Sequence, residues 1–324
     1  MLVRFFRSHQ PVLLIIIPVL TALLWLPAFL HPRPLLVDHP MPLFELLTKP
    51  LRSQPFLAVL VAFLLLLFQA FLFNFILEKF EFSGKPTYMP ALLYIVFTSF
   101  SPALLQLHPG LIANIFVLLA LHCILGTYRK PNVLATCFEA GFFIATASLF
   151  YFPAVVCILF IFIAISVLRT FSGREWVIAF LGFLLPYLYV FCYYFMVNGI
   201  SYLWADRMAF AFMNRDLKIT EEIGQPYFEL FLFVLIAAVM SFGRGTDLSS
   251  RSVQYRSNVA VMRWLLVISL LTLLLAPGLN YSYFFISLIP LVVVVGSYFL
   301  WARLVWLAEV ILWSLVVLIF FNHY

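Results

Sequence analysis

An acidic residue and an imidazole stand side by side in a sequence that is otherwise almost unbroken hydrocarbon. Asp38 and His39 lie in PLLVDHPMPLFELLTKP, residues 34–50, between two long apolar runs. A carboxylate held just above a membrane could act as a general base or bind a divalent cation, and a neighbouring imidazole could help to position a phosphate. A solvated connector between two spans explains the same pair, and that interpretation stays open.

A second polar stretch, residues 198–225, concentrates basic side chains. Arg207, Arg215 and Lys218 lie there, and four acidic residues lie directly before, among or shortly after them. Cations at the level of the lipid headgroups suit a phosphate or diphosphate on a lipid carrier. Mutual pairing with the neighbouring acids is an equally good explanation of this cluster.

The composition determines which elements must position these side chains. The chain has 324 residues, of which 65% are hydrophobic and 10% charged, with a mean hydropathy of +1.10. Soluble domains carry roughly 25% charged residues, so we expect an all-α polytopic membrane protein, in one integral domain over residues 1–324. The net charge of +6 then reflects cytoplasmic loops rather than nucleic-acid binding. The sequence contains no fingerprint for a nucleotide or soluble cofactor.

Apolar runs of spanning length predict about eleven transmembrane helices. The ambiguous stretch is 134–168, which would form one helix of about 50 Å if unbroken, against a hydrocarbon core of about 30 Å. A break at Tyr151-Phe152-Pro153 divides it into two spans. With this break most lysines and arginines fall on one side of the membrane, whereas without it they divide about evenly. The positive-inside rule therefore favours the break and a cytoplasmic N-terminus, in a bacterial inner membrane.

Two connections are long, residues 31–54 and 198–225, and the eleven-span arrangement places both on the external face. Loops of this length are uncommon in compact proteins unless they have a function. In the first loop, Leu43, Phe44, Leu47 and Leu51 recur at helical spacing before and after Pro50. This pattern predicts an interfacial helix of about two turns with its apolar face in lipid.

A few polar residues lie inside the predicted spans. Gln69, Asn74 and Asn114 are scattered, while His122 and Glu139 occur at similar depth on adjacent spans. A proton relay would need a longer polar chain across the membrane, so structural pairing or snorkelling of these side chains is the favoured interpretation.

Three segments carry a resemblance to a known group of proteins: PTYMPALLYIVFTSFSPALLQLHPGLIANIFVLLALHCIL, CFEAGFFIATASLFYFPAVVCILFIFIAISVL and GLNYSYFFISLIPLVVVVGSYF. The chain resembles an uncharacterised family of polytopic inner-membrane proteins of Bacteroidota-type bacteria. Family members share the paired spans at SLFYFP and the short basic turn before them. The resemblance covers nearly the whole chain and implies no established activity.

The arrangement of spans and loops is also similar to that of GT-C glycosyltransferases, which use polyprenyl-phosphate sugars. That resemblance implies that Asp38 activates the acceptor as a base or metal ligand, and that His39, Arg207, Arg215 and Lys218 hold the donor phosphate. The chain departs from the pattern in having an Asp-His pair instead of paired acids. Two other functions stay open: a non-enzymatic subunit of an envelope export or assembly complex, and a lipid or small-solute transporter.

Overall fold

The computed structural model is all-α. It describes residues 5–7, 10–35, 40–82, 85–170, 172–197, 252–274, 284–301 and 305–323, and within these ranges it contains helices, turns and loops but no strand. The helices are α1 (Leu13–Leu24), α2 (Leu26–Leu30), α3 (Pro42–Thr48), α4 (Pro55–Lys79), α5 (Met89–Thr98), α6 (Pro109–Leu125), α7 (Leu134–Phe150), α8 (Cys157–Leu168), α9 (Gly173–Met196), α10 (Val253–Leu274), α11 (Phe285–Trp301) and α12 (Val305–His323).

Proline determines where many of these helices begin. It occupies the first or second position of each helix from α2 to α6. Its fixed φ suits the first turn, where an N–H would have no intrahelical partner. Proline therefore interrupts an apolar run and starts the helix that follows.

The stretch 134–168 is broken as predicted. Helix α7 ends at Phe150, a 3₁₀ turn covers Phe152–Val156, and α8 begins at Cys157. Arg169, directly after α8, donates hydrogen bonds to the carbonyls of Thr127 (3.1 Å) and Lys130, which precede α7. The chain therefore returns to the level at which α7 began, and α7 and α8 form an antiparallel hairpin.

Other contacts bring further helix termini together at this same end of the bundle, which we call end A; the opposite end is end B. Each contact joins the beginning or end of one helix to that of another. The hydrogen-bonded pairs are Lys79 Nζ with His122 Nε2 (3.2 Å), Asn258 with the Phe80 carbonyl (3.2 Å), Thr87 with the Phe6 carbonyl (2.8 Å) and Arg7 Nε with the Phe299 carbonyl (2.9 Å).

Helices α7 and α9 are held together by glycines. A Cβ atom on Gly141 would lie 2.0 Å from the carbonyl oxygen of Ala179, and one on Gly182 would lie 2.1 Å from that of Phe138. The two backbones are therefore in direct contact, as small residues permit in helix pairs within membranes.

Within the described ranges, two helices are long and apolar enough to cross a bilayer: α4, with a mean hydropathy of 2.8, and α9, at 1.9. The other apolar helices are shorter. The number of eleven spans therefore stays a prediction.

Candidate functional site at end B

The residues predicted to do chemistry fall in parts of the chain that the structure does not describe. These are Asp38 and His39 in the first long loop, and Arg207, Arg215 and Lys218 in the loop 198–225. Their sequence neighbours in the first loop are described, and they show where that loop is attached.

The first loop is anchored on the bundle at end B. Pro40 and Met41 are buried, and α3 begins at the next residue and packs against α7. The predicted two-turn helix is present, but its buried face differs from the prediction. Phe44 is 1% exposed and belongs to the protein core rather than to a lipid-facing surface, whereas Leu46 is 75% exposed.

End B is recessed between two long helices. Gln69 of α4 donates to the carbonyl of Leu111 in α6 (2.8 Å), so these residues lie at one level. Both helices run from end B to end A, as the Lys79–His122 contact at their far ends shows. From this level toward end B, α4 continues for about 21 Å to its first residue, Pro55, whereas α6 continues for only about 3 Å to its first residue, Pro109. Helix α4 therefore extends about 18 Å farther at end B.

On the other side of the bundle, α7 and α9 differ in length at end B in the same way. The hydroxyls of Ser148 in α7 and Tyr187 in α9 lie 2.6 Å apart. Beyond this contact α7 ends at Phe150, about 3 Å on, while α9 continues to Met196, about 14 Å on. The connections 99–108 and 151–156 thus lie nearer the middle of the bundle than the ends of α4 and α9. We call the region between these ends the end-B recess and the two connections its floor, which other described residues largely cover.

The floor is buried and mostly apolar, with three buried polar side chains. Ser99, Ser101 and His108 all lie within the protein, and the Trp25 indole N–H donates to Ser99 Oγ (3.1 Å), which ties the end of α1 to the floor.

His108 caps α6. Its backbone is extended, and its Nδ1 accepts a hydrogen bond from the Leu111 N–H (3.1 Å), which is one of the donors that the first turn leaves without a partner. The ring packs edge-on against Phe285, with centroids 4.7 Å apart. Burial lowers the pKa of His108 to about 3, so the ring is neutral near pH 7.

Directly below the floor, a hydrogen-bonded triad joins three helices. The Tyr94 hydroxyl donates to Gln69 Oε1 (2.7 Å) and accepts from Asn114 Nδ2 (2.8 Å). Because Leu111 bonds to Gln69 through its carbonyl and to His108 through its N–H, the triad and the cap meet at one residue.

His122 and Glu139 have different partners near end A. His122 contacts Lys79, while the carboxylate of Glu139 accepts from Cys123 Sγ at 3.8 Å. The pairing of His122 with Glu139 that the sequence suggested is therefore not present, because each side chain has another partner.

The family model for a family of unknown function, DUF6427, matches residues 43–324. The chain belongs to the DUF6427 family. The match confirms the predicted resemblance to an uncharacterised family, and it covers α3 to α12, including the whole floor of the recess. No curated protein and no solved structure matches the chain.

Proposed function

We propose that this DUF6427 protein is a multi-pass inner-membrane protein with end A in the cytoplasm. Support comes from the distribution of basic residues, which concentrate on the cytoplasmic side of membrane proteins. Of the described lysines and arginines, Arg263 lies ten residues into α10, and the others lie at one end or the other. Those at end A are Arg7, Lys79, Lys85, Arg129, Lys130, Arg169, Arg174 and Arg256, and those at end B are Arg33, Lys49 and Arg52. The apolar surface of α9 suits contact with lipid.

At the external end, we infer a GT-C-like transfer of sugar from a polyprenyl phosphate to an acceptor. The observation that carries this proposal is the attachment of the first loop at end B, where α3 packs against α7 and Asp38 precedes buried Pro40 by two residues. A lipid in the outer leaflet would present its phosphate at this end while its chain stays in the membrane.

In the proposed reaction, Asp38 takes the proton of the acceptor hydroxyl as general base. In the alternative, Asp38 would hold a divalent cation, which would lower the pKa of that hydroxyl. The hydroxyl oxygen bonds to the anomeric carbon, and the lipid phosphate leaves with the electron pair of the broken bond. His39, Arg207, Arg215 and Lys218 would stabilise the negative charge that develops on this phosphate.

The test is transfer from a radiolabelled polyprenyl-phosphate sugar in membrane vesicles. Asp38→Asn should abolish transfer and leave membrane insertion intact. Glu45→Gln is the matched control, because Glu45 is an acid in the same loop with no role in the proposed chemistry. Full transfer by the Asp38→Asn variant would refute the assignment.

The surface of α9 supports a second candidate, a non-enzymatic subunit of an envelope complex. Outside its glycine contact with α7, α9 exposes a stripe that includes Val177, Phe180 and Leu184. A partner helix could cover this stripe as well as lipid does. A photocrosslinker at residue 180 would then capture a defined partner, and Asp38→Asn would leave the phenotype unchanged.

A further inference from the structure

The last residue of α4, Lys79, has a side chain that its neighbours hold in a defined position at end A. Its Nζ lies 3.2 Å from Nε2 of His122 in α6, and 5.7 Å from the ring centroids of both Phe75 and Phe80. The same two rings pack on the imidazole, with centroids 6.0 and 5.6 Å away. One imidazole and two phenyl rings therefore orient this ammonium group.

The contact with His122 uses only part of the hydrogen-bonding capacity of Lys79. An ammonium group has three N–H donors and no acceptor, so Nε2 of His122 accepts one of its hydrogens. No carboxylate among the residues that the structure describes forms an ion pair with Lys79, whose side chain is exposed. Two donors of an oriented cation are therefore available to a ligand.

A second lysine lies close to the same imidazole. Lys130, in the turn after α6, is exposed, and its positive charge acts on His122 as that of Lys79 does. The acid nearby, Glu139, contacts Cys123 instead of either lysine. Two cations that no described acid pairs with favour an anion beside them.

An apolar surface leads along α4 to these cations. Leu64, Phe68 and Phe75 are each about half exposed, and their spacing places them on the same face of the helix as Lys79. Phe68 lies about 16 Å from Lys79 along the helix axis, which is close to half of a hydrocarbon core of about 30 Å. A lipid whose chain lay on this face would thus have its headgroup at Lys79.

We propose that Lys79 and Lys130 bind the phosphate of an anionic phospholipid in the leaflet at end A, and that His122 positions Lys79 for this contact. The phosphate oxygens accept hydrogen bonds from the two ammonium groups. Basic sites between helices on the cytoplasmic side of membrane proteins bind anionic headgroups in this way. The inference rests on the membrane setting proposed above and does not depend on the transfer reaction.

The test measures lipid binding to the full chain in detergent as an increase in its melting temperature. The probe is dioctanoyl phosphatidylglycerol, which carries a net negative charge. The controls are dioctanoyl phosphatidylcholine, whose choline balances the phosphate charge, and glycerol 3-phosphate, which has no acyl chain. Phosphatidylglycerol should stabilise the wild-type protein more than either control does.

Charge variants of the lysines should change the affinity for phosphatidylglycerol. Lys79→Gln and Lys130→Gln should each weaken binding about fivefold, because each removes one cation near the lipid surface. Lys130→Gln carries the test if Lys79→Gln does not fold, since the Lys130 side chain is exposed. Lys79→Arg keeps the charge and should bind within about threefold of wild type. Lys85→Gln is the matched control and should bind as wild type, because Lys85 is an exposed lysine at end A outside the described contacts of Lys79 and His122.

Two further substitutions test the positioning role of His122. Glutamine carries an oxygen near the position of Nε2, so His122→Gln keeps the acceptor for Lys79 and should bind nearly as wild type. His122→Leu removes the acceptor and releases the lysine, which should weaken binding by about threefold to tenfold. Equal affinities of His122→Leu and wild type would show that His122 does not position Lys79.

The remaining outcomes decide the lipid site itself. Wild-type affinity in both glutamine variants of the lysines would overturn it, as would a loss in Lys79→Arg as large as that in Lys79→Gln. Equal stabilisation by phosphatidylcholine or by glycerol 3-phosphate would overturn the assignment to an anionic lipid. None of these results bears on transfer by Asp38, which the radiolabelled assay tests separately.

Discussion

The hydroxyl of Tyr94 donates a hydrogen bond to Oε1 of Gln69 over 2.7 Å, in the interior of the bundle. The same hydroxyl accepts from Asn114, so one oxygen atom joins α4, α5 and α6. Tyr94→Phe would leave both amides without this partner and should lower the free energy of unfolding by about 1–2 kcal/mol. Thermal unfolding in detergent measures the change.

Tyr128→Phe is the control for this variant. Tyr128 is half-buried near end A, and the cation–π contact between its ring and the Arg129 guanidinium does not require the hydroxyl. An equal loss of stability in the two variants would show that the triad contributes nothing specific.

Close packing of α7 on α9 gives a second expectation. Gly141→Ala introduces a Cβ 2.0 Å from the carbonyl oxygen of Ala179, so the helices must separate, at a cost of about 1–3 kcal/mol. Gly296→Ala is the matched control, since its nearest contact would be the Leu93 side chain at an ordinary 3.6 Å. That variant should match wild type or exceed it, because alanine favours helix. If both alanines were equally tolerated, the backbones of α7 and α9 would not be in contact.

The ion pair at end A gives a third expectation. Arg169 Nε lies 3.1 Å from Glu175 Oε1, and both side chains are largely buried. Arg169→Gln would leave a buried carboxylate without its cation and should lower the free energy of unfolding by about 3 kcal/mol. Arg174→Gln, at an exposed neighbouring position, should change it by less than about 0.5 kcal/mol.

Restoring charge balance provides a check on this interpretation. The double variant Arg169→Gln with Glu175→Gln removes the unpaired charge, so it should recover part of the stability lost in Arg169→Gln alone. A double variant less stable than the single variant would contradict the pairing.

The break in 134–168 could be predicted from the sequence because its signals are local. Pro153 cannot continue a helix, and the basic residues on either side required the chain to turn back. The residues after α8 and before α7 are indeed joined by Arg169. The helix in the first loop was predictable for the same reason, since its spacing and Pro50 are both local signals.

The polar centre was not predictable, because it depends on how distant segments align. Gln69 and Asn114 were recognised as polar residues within spans, but their link through Tyr94 requires the registers of three helices. An aromatic residue in an apolar run carries no signal for such a role. His108 was also missed, although its position directly before Pro109-Gly110 is typical of a helix cap. Likewise, spacing alone could not show that Phe44 faces α7 and the core rather than lipid.

The orientation of the bundle gives the last expectation, which a labelling experiment can measure. Lys49 at end B and Lys130 at end A are both exposed. In a background with Cys123, Cys137, Cys157 and Cys192 replaced by alanine, a membrane-impermeant maleimide should label Lys49→Cys in intact spheroplasts. It should label Lys130→Cys only after permeabilisation, because the positive-inside rule places end A in the cytoplasm. The reverse pattern would place the recess in the cytoplasm and would refute an external glycosyl transfer, since the lipid phosphate would then enter from the inner leaflet.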